Sequence, residues 1–263
     1  MARRATAIKQ ERTRASGAVL VVDAGSSLSG SRLSNASQGA VILEGMNGMD
    51  YDGMSLGRYD AQIGLEALQK RKEEATFPFL AANLGHVDGG ALLFEPHTVV
   101  ERNGLRIGLI GLSGPDVLAT KVKDKLLLYD PIAAARQSVA ALQGQVDLVV
   151  LLSHLGLETD RQLAQQIEGI QVIVGGLDRK LLEEPERVGN TLIVQAGYNG
   201  EWLGRLDAAF TRDGTPVEYR ETILTLDASY ADDPAMIAVV DKWKGVYPPP
   251  TVTPLPVPPT TKQ

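Results

Sequence analysis

Short apolar runs alternate with amphipathic stretches along most of the chain, and each pairing of the two reads as a strand followed by a helix. The run GAVLVVDAG (17–25) is β-branched and ends in Asp-Ala-Gly, which predicts a parallel strand buried on both faces that delivers a loop to a site. GAVILEGMNGM (39–49) reads as a helix, YDGMSLG (51–57) as a short strand, GLEALQKRKEEA (64–75) as a helix and FPFLAANL (77–84) as a strand. HTVVERNGLRIGLIGL (97–112) carries Asn103-Gly104, the strongest short hairpin signal. Asp130-Pro131 opens a helix over DPIAAARQSVAALQG, with Asp as N-cap and Pro at the first helical position.

The second half repeats the alternation. VDLVVLLSHLG (146–156) is a deeply apolar strand, DRQLAQQIEG (160–169) a helix, and IQVIVGG (170–176) and NTLIVQAG (190–197) are strands. A long hairpin follows over 202–227, turning at Asp213-Gly214. The opening stretch ARRATAIKQERTRAS (2–16) reads as a helix. Strands that alternate with helices, with hairpins late, predict a layered α/β domain whose loops gather at strand C-termini. A single domain is expected over 1–245. The Pro- and Thr-rich stretch 246–263 is expected to form an extended linker leading to a further domain.

Composition narrows the function classes. A net charge of -6 argues against non-specific binding to nucleic acid or anionic membrane, and the basic opening with Arg3, Arg4, Lys9, Arg12 and Arg14 is too short to reverse that. The absence of cysteine excludes disulfides, zinc-thiolate sites and thiol nucleophiles. No apolar stretch approaches the ~20 residues of a membrane span. The basic N-terminus lacks a following apolar core, so it does not read as a signal peptide.

Four loops follow strand-like runs and are expected at one sheet edge: DAGSSLSG, SLGRYDAQ, LSHLG and GGLDRK. Their spacing and flanks, strongest in DAGSSLSGSRLSN, GAVILEGMNGMDYDGMSLGRYD, VDLVVLLSHLGLETDRQLAQQIEGIQVIVGG and LLEEPERVGNTLIVQAG, resemble the metallophosphatase domain of the 5'-nucleotidase family, within the calcineurin-like metallophosphoesterases. The likeness covers roughly Ala2 to Asp207. It implies a four-layer αββα sandwich, here missing the first strand, and an extracytoplasmic location, since relatives in the family are mostly exported. It also implies two divalent metals, manganese or zinc, held by Asp and His ligands that activate a hydroxide and neutralise phosphate oxygens.

Laid on this chain, the resemblance puts Ser26 at the bridging Asp, Arg58 at an Asn ligand, Tyr59 at its catalytic His partner, and Leu177 and Arg179 at two late His ligands. Only His154 keeps its ligand type. A hydroxyl is a poor ligand for a hard divalent ion, Leu offers none, and guanidiniums repel cations. At ~4 Å and an effective dielectric near 20, like unit charges cost about 4 kcal/mol. No cofactor is therefore expected, and the function expected is a catalytically inactive binding or scaffold domain. Its partner is phosphate or another anion held by Arg58 and Arg179. Three alternatives stand beside this one. Asp23, Asp60 or Asp178 pairs with those arginines and closes the pocket; His154 is a hydrogen-bonded loop residue; or an active phosphoesterase hydrolyses nucleotides or other phosphate esters with an altered metal site. Around GSSLSG no acid-His pair can be placed from sequence, which argues against a serine hydrolase. Asn83 is expected to be structural, and His86 and His97 are assigned no role.

Overall fold

A computed structural model describes residues 1–250, so most of the Pro- and Thr-rich stretch lies outside the described residues. Helix α1 (Ala2–Arg14) leads into strand β1 (Val22–Asp23), then helices α2 (Arg32–Ala36) and α3 (Ala40–Gly48), strand β2 (Gly53–Ser55), helices α4 (Arg58–Ala61) and α5 (Leu65–Glu74), and strand β3 (Phe79–Leu80). The three strands pair in parallel, with Asp23 opposite Met54 and Ser55 opposite Leu80. The expected buried strand over 17–25 is corrected here: only Val22 and Asp23 pair, on one side with β2, and both are half-buried.

Strands β4 (Leu84–His86), β5 (His97–Arg102), β6 (Leu105–Leu112) and β7 (Leu126–Leu128) come next, with a short 3-10 helix at Pro115–Ala119 between the last two. Helix α6 (Pro131–Leu142), strand β8 (Leu148–Ser153), helix α7 (Leu157–Gln166), and strands β9 (Val172–Gly175), β10 (Glu186–Val188) and β11 (Thr191–Val194) complete a six-stranded sheet in the order β10-β11-β9-β8-β6-β5. Its four central strands are parallel and its two edges antiparallel. Asn103 and Gly104 both take positive φ, at 51° and 77°, which is the turn chemistry the dipeptide predicts. Asp130 caps α6 by accepting from the Ala133 amide at 2.6 Å. Strands β12 (Trp202–Phe210) and β13 (Pro216–Thr225) form the late hairpin, and α8 (Pro234–Val246) closes the described chain. That helix runs through Val246, one residue past the expected domain boundary.

The layers follow from which faces are apolar. Leu80, Ile107, Leu109, Val150, Leu152, Val172 and Val194 interlock between the two sheets. Helices α1, α3 and α8 cover the outer face of the small sheet through Ala5, Ile8, Leu43, Met46 and Met236. Helices α6 and α7 cover the large sheet through Ala135, Leu142, Leu157 and Leu163. The molecule is thus a four-layer α/β/β/α sandwich. Strand β8 is buried almost throughout because both its faces are covered, which is why it reads as an unbroken apolar run. Among the described residues no helix is long and apolar enough to cross a membrane.

β6 approaches β3 closely, and Gly111 makes this contact: a Cβ there would collide with the backbone oxygen and Cβ of Leu80. We expect Gly111→Ala to destabilise the protein by about 1–3 kcal/mol through overpacking, lowering Tm by several degrees. Gly17→Ala, with nothing within 4 Å of the added carbon, should stay within about 0.5 kcal/mol of the parent. Thermal denaturation followed by circular dichroism compares the two.

Candidate functional site

The loops after β1, β2, β8 and β9 meet at the C-terminal edge of the parallel strands. Asp60 sits in the third position of α4, is fully buried, and gathers the first two loops. Its Oδ1 accepts the amides of Ser27 and Leu28, both at 2.9 Å, and its Oδ2 accepts those of Ser26 at 2.6 Å and Gly57 at 2.9 Å. Burial pushes the Asp60 carboxyl up from its ordinary range, and the amides of Gly57, Leu28 and Ser26 oppose that by favouring the charged form. Gly25, at φ 95°, lets the loops touch: a Cβ there would lie 2.8 Å from the Gly57 nitrogen. Asp23 holds the start of the same loop, accepting the Gly25 amide and the Ser27 hydroxyl, each at 2.8 Å.

Ser26 is the residue this scaffold displays. Its φ of 66° lies in the left-handed region that side chains rarely adopt, and its side chain is half-buried. The Oγ stands 3.1 Å from His154 Nε2 and accepts the Tyr59 amide at 3.4 Å. His154 Nδ1 is 2.9 Å from the Ala24 carbonyl, an acceptor only, so this nitrogen carries the proton. Asp116, from the 3-10 helix, places Oδ2 3.6 Å from Nε2. Burial lowers the His154 pKa, but the Asp116 carboxylate and the Ala24 carbonyl outweigh it, and the ring is held above its ordinary value.

Beneath this pair Ser153, Asp160 and Gln195 form a buried polar cluster that sequence reasoning did not anticipate, and it reaches out to the exposed Asp178. Ser153 donates its hydroxyl to Asp160 Oδ1, while Asp160 Oδ2 and Gln195 Oε1 have no partner among the described residues. Gln195 donates at 2.7 Å to Asp178 Oδ1, and Asp178 Oδ2 accepts the Leu157 amide at 3.0 Å. Burial pushes the Asp160 carboxyl up to about 7.

The expected site residues are therefore only partly assembled. Ser26, Tyr59 and His154 come together. Leu177 and Arg179 lie in the loop after β9 with left-handed φ of 70° and 58°. Arg179 is exposed and lies over the Tyr198 ring, 5.7 Å from its centroid, and Arg58 is exposed at the start of α4. Neither arginine has an ion pair among the described residues, which corrects the alternative that Asp23, Asp60 or Asp178 neutralises them: amides, a hydroxyl and Gln195 already engage those carboxylates. The failure to place a histidine near GSSLSG is corrected as well, since Ser26 and His154 are in contact. Asn83 is structural, donating to the Ser113 carbonyl and accepting its amide.

The donor set bears directly on the metals that the resemblance implies. A dinuclear centre needs several convergent oxygen and imidazole ligands. No group of three or more His, Cys, Asp or Glu side chains among the described residues could hold a metal, and the Asp60 oxygens already accept four amides. These residues do not fit a two-metal site.

A four-layer α/β/β/α sandwich with its site at the strand C-termini is the frame of the metallophosphoesterases. No family model matches the chain. Over 269 residues it is 30% identical to the 5'-nucleotidase of Diplobatis ommata, spanning 93% of this chain and 46% of that protein. The 5'-nucleotidase precursor of Thermus thermophilus superposes with a TM-score of 0.85 at 27% identity, over 94% of this chain and 53% of that one. The sulfate thiohydrolase SoxB of Thermus thermophilus, in complex with glycerol, shares the fold with a TM-score of 0.86 at 24% identity, over 94% of this chain and 46% of that one. The chain belongs to the 5'-nucleotidase family of calcineurin-like metallophosphoesterases, and it spans about half the length of these relatives.

The buried Asp160 makes stability depend on pH. Its folded pKa is raised, so the folded state binds the proton more tightly than the unfolded chain. The resulting stabilisation is complete below the unfolded carboxyl pKa and is lost as pH rises to about 7. Asp160→Asn should remove that part of the fall in Tm and leave the part due to Glu221, which burial pushes up to about 8. Parallel slopes for parent and variant between about pH 4 and 7 would contradict the assignment.

Proposed function

We propose that this chain is a 5'-nucleotidase-type domain whose metal site has become a metal-free anion site, working as a binding or scaffold domain without two-metal hydrolysis. The observation that carries the reading is the charge at the loop cluster: Arg58 and Arg179 are exposed and outside any ion pair among the described residues, while Asp23, Asp60 and Asp178 are engaged by amides, a hydroxyl and Gln195, and Asp116 faces His154. Arg58 adjoins Gly57, which packs against Ser26 and His154, and Arg179 follows Gly176, which packs against the His154 ring. A guanidinium stays charged at any working pH and offers planar paired donors that match phosphate oxygens. The left-handed backbone at Ser26, Leu177 and Arg179 supports the same reading, because it keeps the loop shapes while the side chains aligned with metal ligands are not ligands.

A second reading, an active phosphoesterase acting on nucleotides or other phosphate esters through an altered metal site, draws on the 5'-nucleotidase relatives and on the retained His154. Titration calorimetry with inorganic phosphate tests the first reading: millimolar or tighter binding is expected, and Arg58→Ala with Arg179→Ala should abolish it. No heat from the parent protein would overturn the anion site. Release of phosphate from adenosine monophosphate in the presence of manganese or zinc would replace it with the second reading.

A further inference from the structure

We infer that Ser26 is a nucleophile and His154 its general base, a pair able to open activated acyl and phosphonyl esters without a metal. Four features of the geometry converge on it. The Oγ of Ser26 lies 3.1 Å from His154 Nε2, within reach for proton transfer. The Nδ1–H bond to the Ala24 carbonyl at 2.9 Å fixes the tautomer that leaves Nε2 free to accept that proton. Ser26 protrudes from a strand-to-helix loop at φ 66°, a strained conformation stabilised by Asp60 through the Ser26, Ser27 and Leu28 amides. Glycines let the backbone close on the pair and hold it in place: a Cβ on Gly57 would strike Ser26 Oγ and His154 Nε2, and one on Gly176 would stand 2.9 Å from Nδ1.

The step balances with ester and water alone. Ser26 Oγ attacks the carbonyl carbon while its proton passes to Nε2, where Asp116 Oδ2, 3.6 Å away, stabilises the imidazolium formed. The bond to the alcohol breaks as His154 returns that proton to the leaving oxygen. Water then attacks the acyl-Ser26 ester, giving up its proton through His154, and the acid is released. Asp60 already engages the amides of Ser26, Ser27, Leu28 and Gly57, so the developing oxyanion meets the Tyr59 amide, the one that reaches Ser26 Oγ at 3.4 Å. One donor in place of a full oxyanion hole limits the pair to activated esters. This inference does not depend on anion binding, because an uncharged probe needs neither arginine.

The test is labelling of the full chain with an alkyl fluorophosphonate, read by peptide mass spectrometry. A single adduct on Ser26 is expected, absent in Ser26→Ala and slowed about 100-fold in His154→Gln. Ser229→Ala, whose hydroxyl bonds Asp227 outside the loop cluster, should label at the parent rate. Ser26→Cys gives a second readout: its thiol beside His154 should react with iodoacetamide at least about tenfold faster than the same thiol in urea-unfolded protein. Labelling no faster than in unfolded protein, or a rate unchanged by His154→Gln in protein with a parental melting curve, would overturn the assignment. So would a thiol in the Ser26→Cys variant that is no more reactive folded than unfolded.

Discussion

One carboxylate holds the site together. Asp60 is fully buried and bonded to four backbone amides from two loops, so removing its acceptors would leave four donors without partners in a place water does not reach. The loop 25–28 could not keep Ser26 in a left-handed conformation without a compensating interaction, since that geometry costs a non-glycine residue about 1–2 kcal/mol. Asp60 supplies the compensation, with Gly25 allowing the close approach. The loop shape thus rests on amide-carboxylate bonds within the chain, which is how it can persist where the donor set does not fit a two-metal centre.

Charge then decides what the site can hold. With Asp23, Asp60 and Asp178 engaged by amides, a hydroxyl and Gln195, the groups at the surface of the cluster are two guanidiniums, the Ser26 hydroxyl, an aromatic ring under Arg179 and the carboxylates of Asp178 and Asp116, the latter facing His154. On the proposed reading the two guanidiniums attract anions and disfavour divalent cations. The Ser26 and His154 pair sits inside the cluster as a hydrogen-bonded unit, so the proposed anion capture and ester opening make separate demands on separate residues.

Local signals in the sequence were enough for much of the fold. Asp130-Pro131 announced α6, Asn103-Gly104 its hairpin, and the unbroken apolar run at 148–152 a strand covered on both faces. The same Asp-Pro signal at Asp233-Pro234 opens α8, with Asp233 Oδ1 accepting the Met236 amide at 3.1 Å, yet it passed unread. The four- and five-residue helices α4 and α2 are too short to show a helical period. The two-residue extent of β1 and its half-burial were not visible in an apolar run. The site was less legible. Resemblance pointed to Ser26, Arg58, Tyr59, His154, Leu177 and Arg179, but the contact between Ser26 and His154 joins residues 128 apart and exists only because two sheets bring their strand ends together. Nor does any local pattern mark Asp60 as the acceptor for Ser26, Ser27 and Leu28, whose amides come from a distant loop.

The central claim, that this 5'-nucleotidase-family domain has no two-metal centre, is tested most directly by metal stoichiometry. Purified protein would be incubated with manganese and zinc, desalted, and measured by plasma mass spectrometry. The account predicts a value near zero per chain. A value near two would contradict it and would mean that ligands other than those gathered around Ser26 and His154 restore a phosphohydrolase centre.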